Sequence, residues 1–172
     1  MTDARQPKKH FRATLLFLGI AIQLLSLFAG QLTELPFVAR CIAPRYHRAS
    51  VALTTLRSKH YVDLNDIGYL DICGLLRTRV VSLGVLANSR SDVTIDHIES
   101  FGTAWSSSGD TYPTGLYFTA TPTGGSPRQF TWGLEQLQER VSALQQPNAL
   151  IFALVLFGIG SALDIVSFYL DP

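Results

Sequence analysis

The chain has 172 residues, 14 Lys and Arg against 13 Asp and Glu, and a formal net charge of +1. That balance argues against a surface that holds nucleic acid by bulk positive charge. The apolar residues, 47% of the chain, concentrate in two runs, 13–32 and 149–170, on either side of a middle of ordinary globular composition.

Each run has the roughly 20 apolar residues that a helix needs to cross a ~30 Å hydrocarbon core. The expectation is therefore a two-span integral membrane protein of the cell membrane, with the lipid bilayer as its first partner. A basic tail, 1–12, precedes the first span. Arg5, Lys8, Lys9 and Arg12 lie in that tail, and no Lys or Arg follows the second run. The positive-inside rule then puts both termini in the cytoplasm and exports the domain between them. A signal peptide is the competing reading of the first run. Its length and the bulky Leu27 and Phe28 before Ala29 favour an uncleaved anchor.

The first span carries Gly19, Gln23, Ser26 and Gly30 at spacings of four, three and four, which is one stripe of a helix. The second carries Gly160, Asp164 and Ser167 on one stripe, with Ala153 in line, and Gly158 and Ala162 on a neighbouring face. Lipid gives helices no hydrophobic reason to associate, so small residues and interhelical hydrogen bonds supply it. Counted inward from one membrane face, Gln23 lies level with Gly160 and Gly19 with Asp164. An antiparallel hairpin with this seam is expected, Gln23 leaning one turn toward Asp164. Neither span holds a basic residue to pair with Asp164, which is read as reaching water, carrying a proton or bonding to the facing helix.

Between the spans, 33–148 reads as a soluble α+β domain. Residues 33–50 look irregular, punctuated by Pro36 and Pro44, with Arg40, Arg45, Tyr46, His47 and Arg48 as an interfacial basic and aromatic cluster. Residues 51–61 suit either strand or helix. A helix is predicted after Asn65, its expected N-cap, with Tyr69, Ile72, Cys73, Leu76 and Val80 as the apolar face. Asp63, Asp66 and Asp71 are read as caps and solvated charges. Residues 92–101 alternate as a strand, with a bulge expected near His97 and Ile98, and 115–121 alternate more cleanly. A third strand is expected at 127–132. Leu134, Leu137, Val141 and Leu144 then mark an amphipathic helix over 133–146 that Pro147 ends or kinks. The predicted domain is a β-hairpin or three-stranded antiparallel sheet packed by two helices.

No catalytic constellation is evident. The chain lacks HExxH, CxxC, a Gly-x-Ser-x-Gly elbow and a phosphate-cradling glycine loop, so neither a cofactor nor a metal is expected. Cys41 and Cys73 pair only if the domain faces an oxidising space. The leading expectation is a membrane-anchored, non-enzymatic interaction domain whose partner is a larger membrane protein or a second copy, with no nucleic acid. The alternative is a membrane-tethered ligand sensor whose pocket lies near the 106–114 loop and uses Trp105, Asp110, Tyr112 and Tyr117. A hydrolase built on Asp96, His97 and Glu99 is the weakest of the three.

Overall fold

A computed structural model of the chain describes residues 6–83, 93–105 and 111–169. The chain divides into two compact units, one made of Met1–Ala43 and Gln145–Pro172, the other of Pro44–Leu144.

In the first unit the N-terminal apolar run forms α1, Gln6–Ser26, then breaks in a turn at Leu27 and Phe28 before the short α2, Ala29–Leu32, and α3, Pro36–Ile42. The C-terminal run forms α7, Gln146–Tyr169, with Pro147 in its first turn, where no backbone N–H is needed. One helical run, Leu134–Tyr169, holds the only segment among the described residues long and apolar enough to cross a membrane. Its apolar residues are those of α7. The best 18-residue window has a mean hydropathy of 2.4, and 6% of it is buried. The apolar part of α1, His10–Ser26, is shorter, because the turn at Leu27 cuts the expected 13–32 helix.

The second unit is α+β. Its helices are α4 (Pro44–Lys59), α5 (Tyr69–Ser82) and α6 (Leu134–Ala143). Its strands are β1 (Tyr61–Val62), β2 (Val93–Phe101), β3 (Ala104–Trp105), β4 (Thr111–Tyr112), β5 (Gly115–Pro122) and β6 (Arg128–Gly133). The main sheet is antiparallel, in the order β1-β2-β5-β6, and β3 pairs with β4 in a separate ribbon. The sheet thus has four strands and three helices where three strands at most and two helices were expected. The extra strand is β1, two residues long, and the extra helix is α4. Pro36 and Pro44, read as breakers, each stand at the first position of a helix, where a fixed φ and a missing N–H cost nothing.

The core lies between the inner sheet face and the three helices. Val93, Ile95 and Ile98 of β2, Leu116, Phe118 and Ala120 of β5, and Trp132 of β6 meet Leu53, Leu56, Ile72, Leu76, Leu137 and Val141. Phe118 stacks on Phe130 with centroids 5.7 Å apart. Apolar contact on this scale supplies most of the stability of such a layer. The predicted N-cap at Asn65 is not used: α5 begins at Tyr69, and Gly68 precedes it with φ of +86°. The acids upstream close a turn instead. Asp63 N–H donates to Asp66 Oδ2 at 3.1 Å and Asn65 N–H to Asp63 Oδ1 at 2.9 Å, the local bonding that draws Asp and Asn away from helices.

Candidate functional site: a polar helix seam and a cleft at a strand bulge

Two places bring polar groups together, one in each unit. In the first unit, contacts between α1 and α7 run in opposite senses. Gly19 meets Gly160 and Asp164, Gln23 meets Gly160 and Ser161, and Thr33, past the end of α1, meets Gln145. The two helices are therefore antiparallel.

Their approach is as close as backbones allow. A Cβ on Gly19 would stand 2.2 Å from Asp164 Oδ1 and 2.9 Å from the Gly160 carbonyl oxygen. One on Gly160 would stand 2.7 Å from both Gln23 Cγ and the Gly19 carbonyl oxygen. Each glycine seats the polar side chain of the other helix, and the polar pair then bonds across the seam. Gln23 Nε2 donates to Asp164 Oδ2 at 2.8 Å and to Ser161 Oγ at 3.3 Å. Asp164 Oδ1 is buried against Gly19 with no hydrogen-bond partner among the described residues.

The other stripe residues do different things. Ser26 Oγ donates to the Gln23 carbonyl at 2.6 Å, and Ser167 Oγ to the Asp164 carbonyl at 2.7 Å, so both hydroxyls satisfy themselves on their own helix. Gly30 does not join the close contact: it is exposed, and nothing lies within 4 Å of its Cβ position. The break at Leu27 rotates the chain, so Ala29 is buried instead. The Gly30 carbonyl accepts from Gln145 Nε2 at 3.0 Å, which also donates to Thr33 Oγ1 at 2.7 Å. Ser161 and Gln145 were missed in the sequence. Ser161 adjoins Gly160, and a stripe drawn at strict helical spacing skips it.

The second place is on β2. The β2–β5 register slips by one residue between Asp96 and Glu99, and His97 takes a left-handed φ of +51°. This is a β-bulge, which changes which face later residues occupy. It turns Ile98 into the core and leaves His97 and Glu99 lining one cleft with Tyr61, Asp63 and Tyr69. The cleft measures about 180 Å³, room for roughly six waters and below the usual range for an organic ligand. Asp96 does not line it. The Tyr117 hydroxyl donates a hydrogen bond to Glu99 Oε2, and that bond raises the phenol above its ordinary range because it is lost when the hydroxyl ionises. Tyr69 donates to the Ile95 carbonyl at 2.9 Å, and its burial pushes its phenol up strongly. Burial likewise raises the Cys73 thiol. Cys41 and Cys73 are both free. Among the described residues, no three His, Cys, Asp or Glu converge as a metal would require.

Of the residues assigned to a ligand loop, Trp105 and Tyr112 lie on the paired strands β3 and β4. Trp105 is exposed on β3, opposite Thr111, and Tyr112 is exposed on β4. Tyr117 belongs to the main sheet, beside Phe101. Asp110 lies outside the described residues. Compared with protein-family models, curated proteins and solved structures, the chain has no match.

Proposed function

We propose that this chain is a two-span membrane protein in which α1 and α7 form the anchor and the α+β unit is an exported interaction domain without catalytic function. The observation that carries the anchor is the distribution of polarity in the first unit. Gln23, Ser161 and Asp164 turn toward the facing helix, while Phe17, Leu24, Leu154 and Phe168 are 76%, 54%, 63% and 70% exposed. Water would penalise that arrangement, and hydrocarbon favours it. The apolar part of α1, His10–Ser26, is shorter, and a short span is accommodated by local thinning of the bilayer.

The character of the second unit supports the interaction role. The bulge cleft is small, and both carboxylates that line it are engaged, Glu99 by the Tyr117 hydroxyl and Asp63 by the Asn65 N–H. The partner proposed is a larger membrane protein or a second copy. The test is the mass of the particle extracted in mild detergent, corrected for bound detergent. The reading predicts a defined assembly heavier than the 18.9 kDa chain at fixed stoichiometry. A monomer at every detergent and protein concentration would refute the interaction role and leave the anchor standing.

A further inference from the structure

We propose that β6 is a pairing edge through which two copies of this chain join their main sheets, antiparallel, about a two-fold axis at Phe130. This rests on the interaction role above and names the second copy as the partner. A free strand edge is a row of unpaired N–H and C=O groups, and proteins ordinarily blunt it with brevity, charge or proline. The two edges of the main sheet, β1 and β6, differ in that respect. β1 is two residues long. β6 is six, with no proline and with its only charge, Arg128, at the first position.

The hydrogen-bond pattern shows which groups point outward. Leu134 N–H donates to the Thr114 carbonyl at 3.0 Å, one step beyond the Gly115–Gly133 pair. That makes Thr114 and Leu134 a bonded pair. Bonded pairs alternate along an antiparallel ladder, so Trp132, Phe130 and Arg128 turn their main-chain groups toward β5. The N–H and C=O of Gln129, Thr131 and Gly133 then point out of the sheet. Among the described residues, no backbone hydrogen bond joins them to anything beyond it. Gln129 and Thr131 are exposed.

The second copy is the occupant because β6 complements itself. A two-fold axis perpendicular to the sheet keeps each face continuous and sets Phe130 against Phe130 of the second copy. In that register Gln129 and Thr131 of one copy exchange both main-chain hydrogen bonds with Thr131 and Gln129 of the other. Their side chains, an amide and a hydroxyl, then stand opposite one another on the outer face. On the inner face the two Phe130 rings meet at a non-bonded pair, where side chains come closest. Phe130 is half-buried and already stacks on Phe118, so the contact extends the core of one sheet into the other. Arg128 falls opposite Trp132, and no charge meets a like charge. The interface is isologous and therefore closes at two copies.

The test uses the full chain in mild detergent and compares it with Thr131→Pro. Proline there removes an outward N–H and none of those that bond β5, a position that an edge strand tolerates. Particle mass, corrected for detergent, is followed against protein concentration. A wild-type particle of twice the 18.9 kDa chain, with a dissociation constant raised at least about tenfold by Thr131→Pro, supports the proposal. A dimer that a folded Thr131→Pro leaves unmoved overturns it and keeps the interaction role. So does an assembly that holds a single copy of this chain beside another protein. A monomer at every concentration refutes both. If Thr131→Pro loses its near-ultraviolet circular dichroism, Gln129→Cys with Thr131→Cys decides, in a Cys41→Ser background. Mild oxidation should then link two chains covalently. Absence of that link overturns the proposal when the control, Thr94→Cys with Thr121→Cys, closes within its own chain across the β2–β5 pair.

Discussion

Replacing Gly19 with alanine should open the seam. The added methyl would stand 2.2 Å from Asp164 Oδ1 and 2.9 Å from the Gly160 carbonyl oxygen. Ordinary contact begins near 3.4 Å, so the carboxylate must retreat by about 1.2 Å and the facing backbone by about 0.5 Å. Gln23 then loses its 2.8 Å bond to Asp164. Forced overpacking costs roughly 1–3 kcal/mol, and an interhelical bond in a membrane is worth about 0.6 to 1.7 kcal/mol. Alanine regains about 1 kcal/mol as the better helix former. The net is about 2 kcal/mol, or on the order of 30-fold in the opening equilibrium. The assay is the rate at which a thiol reagent modifies Ser167→Cys in a Cys41→Ser background, since Ser167 is 2% exposed. Gly158→Ala is the control, because nothing lies within 4 Å of its Cβ position. A Gly19→Ala rate within about twofold of the Gly158→Ala rate would refute the glycine seam.

Further consequences follow in the α+β unit. Gly68→Ala combines a left-handed φ with a backbone clash at Arg48 and should lower the unit's thermal midpoint by several degrees, read by near-ultraviolet circular dichroism. Phe118→Ala empties the place of a core ring that is 1% exposed and should cost about 3–5 kcal/mol in denaturant titration. The Asp63 N–H holds the Asp66 carboxyl below its ordinary value. A lowered folded pKa gives stability that is present above the unfolded value and lost as pH falls through the folded one. Below about pH 4, the wild type should therefore lose denaturant resistance more steeply than Asp66→Asn. Tyr117 has the opposite sign. Its raised pKa gives stability that is complete below the unfolded value near pH 10 and is lost as pH rises through the folded one, so Tyr117→Phe should flatten the alkaline limb of the same titration.

What could be read from the sequence depended on the range of the interaction involved. Gly19, Gln23, Gly160 and Asp164 stand out because one helix repeats its faces every three or four residues, a local property. The break at Leu27 and Phe28 carries no Pro and no preceding Gly, so Gly30 reads as the next member of the stripe although Ala29 takes the inward position. Strand alternation marks β5 cleanly. On β2 the inward residues change parity between Ile95 and Ile98, and only pairing with β5 shows where the extra residue goes. The strand β1 is too short for any periodicity, and its place beside β2 depends on contacts distant in the chain. The loop before α5 misled for a chemical reason. Asn65 has the right side chain for a cap, but Asp63 and Asp66 close their own turn first, and the helix waits for Gly68 to reach the α4 backbone.

The central claim, that α1 and α7 both cross the bilayer, is tested most directly by the sidedness of the two ends. Cysteines placed one at a time at Asp3 and at Asp171, in a Cys41→Ser background that leaves only the buried Cys73, are exposed in sealed vesicles of known orientation to a membrane-impermeant thiol reagent. Two crossings predict that both positions react from the same side, while a cysteine at Trp105 reacts only from the other. Reaction of Asp3→Cys and Asp171→Cys from opposite sides would leave one crossing and contradict the account.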